Sequence, residues 1–175
     1  VPVFNSVDSL KELNERLLNV LNDLHVIYEI IYVDHGSQDD SHGKLKELSH
    51  SDKRITLITF SKNYGQHNAL LCGIRSANYD TVITIDDDLQ NPPEEIPKLL
   101  QKLSDGFDVV YGYPKKEKHS LFRNLASIFT KIALKTAMGI DNAKHVSSFR
   151  AFNTILRNSF DQYKGSFVSV DVLLS

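Results

Sequence analysis

The sequence predicts an α/β fold, a mostly parallel sheet flanked by helices within a single domain. Three observations carry this expectation. Five short runs rich in β-branched and aromatic residues alternate with stretches whose apolar residues recur at helical spacing, the pattern of strands joined by crossover helices. Residues 81–85 read TVITI, a β-branched run of the kind that forms a buried strand of a parallel sheet. Three acids, Asp86-Asp87-Asp88, follow it at once. They would sit at the carboxyl end of a strand, where open α/β sheets bind ligands.

Taken in order, residues 1–4 (VPVF) read as a first strand, with Pro2 tolerable near its start, and Asn5-Ser6 break it. Leu10, Leu13, Leu17, Leu21 and Leu24 then recur at helical spacing, with Ser9 and Glu12 placed for a capping box. Residues 28–33 (YEIIYV) form a second strand, which runs into the polar loop Asp34-His35-Gly36-Ser37-Gln38-Asp39. A short helix carrying Leu45 and Leu48 follows, then a third strand at 55–60 (ITLITF) and the loop Ser61-Lys62-Asn63-Tyr64-Gly65-Gln66. Ala69, Leu70, Gly73 and Ile74 suggest a helix packed closely on the sheet. After the fourth strand, Pro92 and Pro93 block an immediate helix, and Glu94 and Glu95 favour the first turn of one reaching about Leu103. Residues 108–112 are a fifth strand.

Beyond Tyr113 the character changes. Lys115-Lys116-Glu117-Lys118-His119 is a charged loop. A long helical pattern over 121–138 sets Leu125, Ile128, Phe129, Ile132 and Leu134 against basic flanks, with Gly139 placed to end it. Residues 146–152 read as a last strand with a short helix after it, and the tail 166–174 is apolar around one acid, Asp171.

At 175 residues, with 41% hydrophobic and 24% charged content, the chain can bury a real core. A formal net charge of -2 supplies no basic field for nucleic acid. The single cysteine, Cys72, excludes an internal disulfide framework and fits a reducing compartment; its apolar neighbours favour a buried structural thiol. No signal peptide and no bilayer-spanning run is visible. Val1 opens inside a strand-like run and Ser175 follows directly on Val172-Leu173-Leu174. A piece of a longer chain is therefore expected.

Three adjacent carboxylates repel one another and raise each other's pKa, a cost that a divalent cation removes. Asp86 and Asp88 point the same way if strand geometry continues past Ile85, and hard oxygen ligands so placed suit Mg²⁺ or Mn²⁺ carrying a phosphate. A solvated acidic turn is the alternative. Asn5-Ser6, the loop from Asp34 to Asp39, and the three aspartates all follow strands, so in a parallel sheet they converge on one edge and one ligand. No G-x-G-x-x-G follows the first strand and no G-x-x-x-x-G-K-[ST] is present, which disfavours dinucleotide-binding and P-loop chemistry. A metal-dependent nucleotidyltransferase stays open, although residues 1–8 lack a Gly-rich basic loop. So does a phosphoacceptor receiver-like module, for which Lys115 is only loosely placed.

Five segments together resemble the family 2 glycosyltransferases of the GT-A fold. They are Val1-Pro2-Val3-Phe4-Asn5, Val33-Asp34-His35-Gly36-Ser37-Gln38-Asp39, Ser61-Lys62-Asn63-Tyr64-Gly65, Asp86-Asp87-Asp88-Leu89-Gln90-Asn91-Pro92-Pro93 and Ser148-Phe149-Arg150. They span positions 1 to about 150 in the family's order. The Leu89-Gln90 and Pro92-Pro93 pairs are similar to the branch that transfers sugars to polyprenyl phosphate or builds surface polysaccharide.

The resemblance implies a Rossmann-like GT-A domain with a donor-binding half at 1–112 and an acceptor-side half at 113–175. It implies an inverting transfer from a nucleoside-diphosphate sugar, a UDP-sugar, to a lipid-phosphate or glycan acceptor in cell-envelope polysaccharide synthesis. Pro2, Val3 and Asn5 would border base and ribose, Asp34 would contact uracil or ribose, and Asn63 and Asp87 would join the donor site. Asp86 would reach the ribose or the metal, and Asp88 would ligate the Mg²⁺ or Mn²⁺ between the donor phosphates, a Lewis-acid role. Arg150 would add positive charge near the phosphates; the alternative is a surface or sheet-edge ion pair.

The sequence departs from the family at two places. His35 stands where a second aspartate is usual, and Ser148 where many relatives carry an acid. Asp171, ahead of Asp141, is then the candidate general base for a hydroxyl acceptor, with a capping or strand-end acid as its alternative. A lipid phosphate would need no base. A donor-binding domain without catalysis also stays open. The helix at 121–138 would lie on a membrane surface or pack on the sheet or a second subunit, and His145 is expected to be structural. The resemblance places the parent protein at the cytoplasmic face of the membrane and leaves room for peripheral membrane association and homo-oligomerisation.

Overall fold

The computed structural model describes residues 1–112, 147–159 and 170–173. The charged loop at 115–119, the amphipathic pattern at 121–138, Asp141 and His145 lie outside the described residues.

The first sheet is parallel, in the order β1 (Pro2–Val3), β2 (Ile30–Asp34), β3 (Ile55–Thr59). Its register sets Val3 beside Asp34 and Asp34 beside Thr59, so all three strands end level and their following loops leave from one edge. The second sheet has the order β4 (Thr81–Thr84), β6 (Arg150–Asn153), β5 (Val109–Tyr111). The sequence pattern gives the last strand no direction, and the structure supplies one. β6 lies between β4 and β5 and runs antiparallel to both, pairing Arg150 with Thr84 on one side and Tyr111 on the other. Strand-like runs carry no mark of direction, and the chain returns through β6 only after a long intervening stretch.

The helices follow from their apolar spacing. In α1 (Val7–Asp23), Leu10, Leu13, Leu17 and Leu21 are buried on one face. The expected capping box is displaced by one turn: Ser6 is the N-cap, and Ser9 lies inside the helix with its hydroxyl donating back to the Ser6 carbonyl at 3.1 Å. The Ser6 hydroxyl does not cap α1 because it donates to Asp87. The amide of Val7 donates instead to the Asp39 carboxylate of the next loop, at 3.1 Å. In α2 (Ser41–Ser51), Leu45 is buried. α3 (Gln66–Ser76) lies so close to β2 that a Cβ on Gly73 would sit 3.4 Å from the Val33 side chain. Cys72, half-buried on α3, has its thiol pushed up by burial, as fits a structural group. A 3₁₀ turn at Pro93–Glu95 leads into α4 (Ile96–Ser104), and a second at Thr154–Ser159 follows β6. α5 (Val170–Leu173) closes the described chain.

One buried cluster joins α1 and the first sheet to Ile85, Ile96, Leu99, Phe149 and Ala151. A second joins Leu70, Leu71 and Ile74 of α3 to Val82, Phe152 and Val170. Among the described residues no helix is long and apolar enough to cross a membrane.

Candidate functional site

Four strand-end loops meet at the level edge. After β1 the chain turns at Asn5, whose left-handed φ of 54° suits asparagine better than most residues. Its amide donates to the Ser37 hydroxyl at 3.0 Å, and its side-chain oxygen accepts the Gln38 amide at 2.7 Å. Gly36, at φ 98°, lets the second loop press on the third: a Cβ there would fall 2.8 Å from the Asn63 amide nitrogen. His35 is buried, stacks on Phe4 at 5.2 Å, and holds Nδ1 3.2 Å from the Asn63 side-chain oxygen. That same oxygen accepts the Gly65 amide at 2.8 Å. The residue at the family's second-aspartate position is thus a tie between loops.

The three aspartates divide their work. β4 ends at Thr84, so strand alternation does not set Asp86 and Asp88; the turn does. Asp86 accepts the Gln66 side-chain amide at 2.7 Å on one oxygen and the Ser148 hydroxyl on the other. Its carboxyl is held above the usual range. Burial is the main cause, the Ser148 hydroxyl opposes it, and the carboxylates of Asp88 and Asp87 add to it. Asp87 faces back to the first sheet, accepting the Phe4 amide at 3.1 Å and the Ser6 hydroxyl at 2.5 Å. Asp88 is exposed, accepts only its own turn's Gln90 amide at 3.0 Å among the described contacts, and precedes Leu89 at φ 59°.

No three His, Cys, Asp or Glu side chains gather as a metal cage among the described residues. The donor set fits a hard divalent cation that completes its shell from elsewhere. It consists of two carboxylates, one half-buried beside other acids and one exposed, and phosphate oxygens are the natural partners.

Pro2 and Val3, expected to border base and ribose, are buried; from β1 it is Phe4 and Asn5 that reach the surface. Asp34 is nearly buried too, with 3% of its side chain exposed. One oxygen accepts the Gly36 and Ser37 amides at 3.2 and 2.9 Å, and the other faces His42 Nδ1 at 3.4 Å. A cleft of about 490 Å³ is lined in part by Asp34 and His42 themselves and by Phe4, Ser37, Phe60 and Lys62.

Arg150 is 1% exposed, on the middle strand of its sheet, with its guanidinium 5.8 Å from the Tyr111 ring centre. That placement corrects the surface or sheet-edge alternative. Asp171 lies on α5, whose Val170 amide is 3.5 Å from His67 Nδ1 on α3; its carboxylate lies outside the described groups. Sequence reasoning gave Gln66 and His42 no role, set Ser6 among the converging loops without its tie to Asp87, and did not foresee the bond from Ser148 to Asp86. Polar residues at the first turn of a helix that follows a strand at the acid edge were the signal available.

The family model of Glycosyl transferase family 2 matches residues 1–164. Over 153 residues the chain is 41% identical to an undecaprenyl-phosphate 4-deoxy-4-formamido-L-arabinose transferase of Pectobacterium atrosepticum, covering 87% of this chain and 47% of that protein. A protein of the same name from Proteus mirabilis is 39% identical over the same length, with the same coverage. The chain spans about half the length of these curated relatives. Among solved structures it is similar to the glucosyl-3-phosphoglycerate synthase of Mycobacterium tuberculosis in complex with UDP, with a TM-score of 0.64 at 18% identity over 89% of this chain and 55% of that one. It is likewise similar to a mannosyltransferase of Pyrobaculum calidifontis in complex with GDP-Man and Mn²⁺, with a TM-score of 0.62 at 17% identity over 98% and 48%. At such identities the likeness shows the fold, and the GT-A architecture expected from the sequence is the one found.

Proposed function

Because this chain belongs to glycosyl transferase family 2, we propose that it moves a sugar, with inversion, from a UDP-sugar to a polyprenyl phosphate in cell-envelope synthesis. The observation that carries the reading is the meeting of four strand-end loops around Asp86, Asp87 and Asp88, tied together by hydrogen bonds across the chain. Support for the acceptor comes from relatives named for undecaprenyl phosphate and from Ser148. Its hydroxyl is engaged with Asp86, so the position where relatives carry an acid holds no base. A phosphate acceptor is already anionic at neutral pH and requires none.

The chemistry then balances without proton transfer. A phosphate oxygen of the acceptor forms a bond to the sugar's anomeric carbon from the face opposite the diphosphate. The bond from that carbon to the diphosphate oxygen breaks, and its electron pair leaves with UDP. Bound Mg²⁺ or Mn²⁺ would supply Lewis-acid stabilisation of the departing diphosphate. Asp88 presents the exposed carboxylate for the ion, and Asp86 is oriented beside it by Gln66 and Ser148. Asn5, Asn63 and Asp87 hold the loops that border the nucleoside, above the floor formed by Pro2 and Val3. Arg150 contributes fixed positive charge from the strand below. Asp171 has a role as general base only if the acceptor is a glycan hydroxyl. Residues 1–112 are the donor half and 113–175 the acceptor half, working at the cytoplasmic face of the membrane.

Calorimetric titration with UDP tests the reading. Binding with Mn²⁺ that disappears with EDTA and in Asp88→Ala is expected. UDP binding that ignores both overturns the metal assignment, and no UDP binding with Mn²⁺ overturns the donor assignment. Transfer of labelled sugar from a UDP-sugar to undecaprenyl phosphate by the full-length protein tests the acceptor.

A further inference from the structure

We infer that His35 is a positioning residue for the carboxylate of Asp86, acting through Asn63 and the start of α3. This rests on the reading of Asp86 and Asp88 as ligands of the donor's cation. Residues 61–67 are exposed throughout, so little packing holds the loop that leads from β3 into α3. His35, just past the end of β2, is buried and stacks on Phe4 with the ring planes 14° apart. Its Nδ1 lies 3.2 Å from the Asn63 side-chain oxygen, which also accepts the Gly65 amide at 2.8 Å. Gly65 is the N-cap of α3, and Gln66 beside it donates to Asp86 at 2.7 Å. Phe4 in turn gives its amide to Asp87 at 3.1 Å. These contacts form a closed ring that leaves the acid run at Asp87 and returns to it at Asp86, with the imidazole as its buried member.

The Gly65 amide fixes the chemistry of this tie. A backbone N–H only donates, so the Asn63 atom it meets is the oxygen, and the ring nitrogen bonded to that oxygen carries the hydrogen. His35 therefore donates from Nδ1. Held by two donors, the Asn63 carboxamide cannot rotate without breaking both bonds, and the turn at Gly65, with φ 88°, keeps its place. Gln66 then presents its amide to one oxygen of Asp86 while the Ser148 hydroxyl engages the other. Groups that hold a ligating carboxylate from behind set the direction in which it meets a metal. An aspartate at position 35 could only accept, and would set its oxygens against that of Asn63. The histidine thus governs how Asp86 faces a cation without being a ligand itself.

The test is calorimetric titration of Mn²⁺ into the protein at saturating UDP, for wild type, His35→Asn and His35→Phe. His35→Asn places an amide nitrogen where Nδ1 stands and should hold Mn²⁺ within about twofold of wild type. His35→Phe keeps a ring to stack on Phe4 but donates nothing, and should lose about tenfold. A ring that serves packing alone would reverse that order. His35→Phe at wild-type affinity, or His35→Asn as weak as His35→Phe, therefore overturns the inference. Asn63→Ala, at the exposed end of the same tie, needs no repacking of a buried site and should lose as much as His35→Phe; wild-type affinity there also counts against the inference. In a Gln66→Ala background, His35→Phe should cost less than about a further twofold, because the route is already cut, and a full additional loss overturns the route through Gln66. In the metal-free protein the amides of residues 61–66 should exchange with solvent faster in His35→Phe than in wild type, and equal exchange overturns the tie. Failure of wild type to bind UDP with Mn²⁺ overturns the donor reading and this inference together, whereas each of the other failures leaves that reading standing.

Discussion

Asp87→Ala separates the architecture of the site from its chemistry. Asp87 accepts two hydrogen bonds from the far side of the fold, from the Phe4 amide at 3.1 Å and the Ser6 hydroxyl at 2.5 Å. Hydrogen bonds to a charged group contribute about 1.5–3 kcal/mol each when buried; at this half-exposed position about 1 kcal/mol each is the better figure. Relief of repulsion with Asp86 and Asp88 returns a few tenths. The expected loss is therefore about 2 kcal/mol, or roughly 4–8 °C in Tm for a chain of this size. Asp87→Asn keeps an acceptor oxygen without the charge and should lose about half as much. Asp88→Ala removes an exposed group with one contact in its own turn and should melt within about 2 °C of wild type, while losing metal-dependent UDP binding altogether. The assays are thermal unfolding and calorimetry on the same preparations. A melting point for Asp87→Ala indistinguishable from wild type, or one for Asp88→Ala that falls as far, would refute the division of labour between the two neighbours.

Gly36→Ala should cost about 2–3 kcal/mol, because φ is 98° and the added Cβ would meet the Asn63 backbone at 2.8 Å; thermal unfolding would register a drop of roughly 5–10 °C. Arg16→Ala removes a two-pronged contact to Glu94, at 2.8 and 2.6 Å, which fastens α1 to the end of the acid loop. On a partly exposed pair the expected loss is about 0.5–1 kcal/mol, read by denaturant titration. Burial lifts the Asp86 carboxyl, so this group takes up its proton at a higher pH than an ordinary aspartate. Metal-dependent UDP binding should accordingly weaken, as pH falls, above the ordinary carboxylate range. Ser148→Ala removes the hydroxyl that opposes the shift, and should move that weakening to higher pH still; titrations across a pH series would measure the displacement. For stability the sign is reversed: a raised native pKa on an acid favours the fold at low pH, and the contribution fades as pH rises through the native value.

Leucine spacing in α1 and the β-branched runs ending in polar loops were legible in the sequence because each is a local pattern. The buried face of α1 and the level ends of β1, β2 and β3 follow from it directly. The direction of β6 was not legible, since the pairing of Arg150 with Thr84 and Tyr111 depends on where a distant segment returns. Within the site, the motif identified which residue types gather but not how their oxygens are used. Ser6 looked like a loop breaker, yet its hydroxyl is drawn to Asp87, 81 positions away, and Asp39 satisfies a helix amide in its stead. Spacing alone cannot reveal bonds made across such separations.

The acid run therefore works as a branch point in the fold. Asp87 fastens the end of β4 to the start of the first sheet, and Asp86 fastens it to α3 through Gln66 and to the approach to β6 through Ser148. Only Asp88 is turned wholly outward. Three carboxylates side by side are unfavourable while all remain charged, and neutral donors on the first two relieve part of that cost without cancelling the charge. A cation reaching Asp88 and Asp86 would remove the rest. The same event would tighten contacts to both sheets and α3 at once, because all of them end on neighbouring residues of one turn. The acids' position at the end of β4 thus places negative charge where the strand-end loops converge, with both sheets and α3 held by neighbouring residues of one turn.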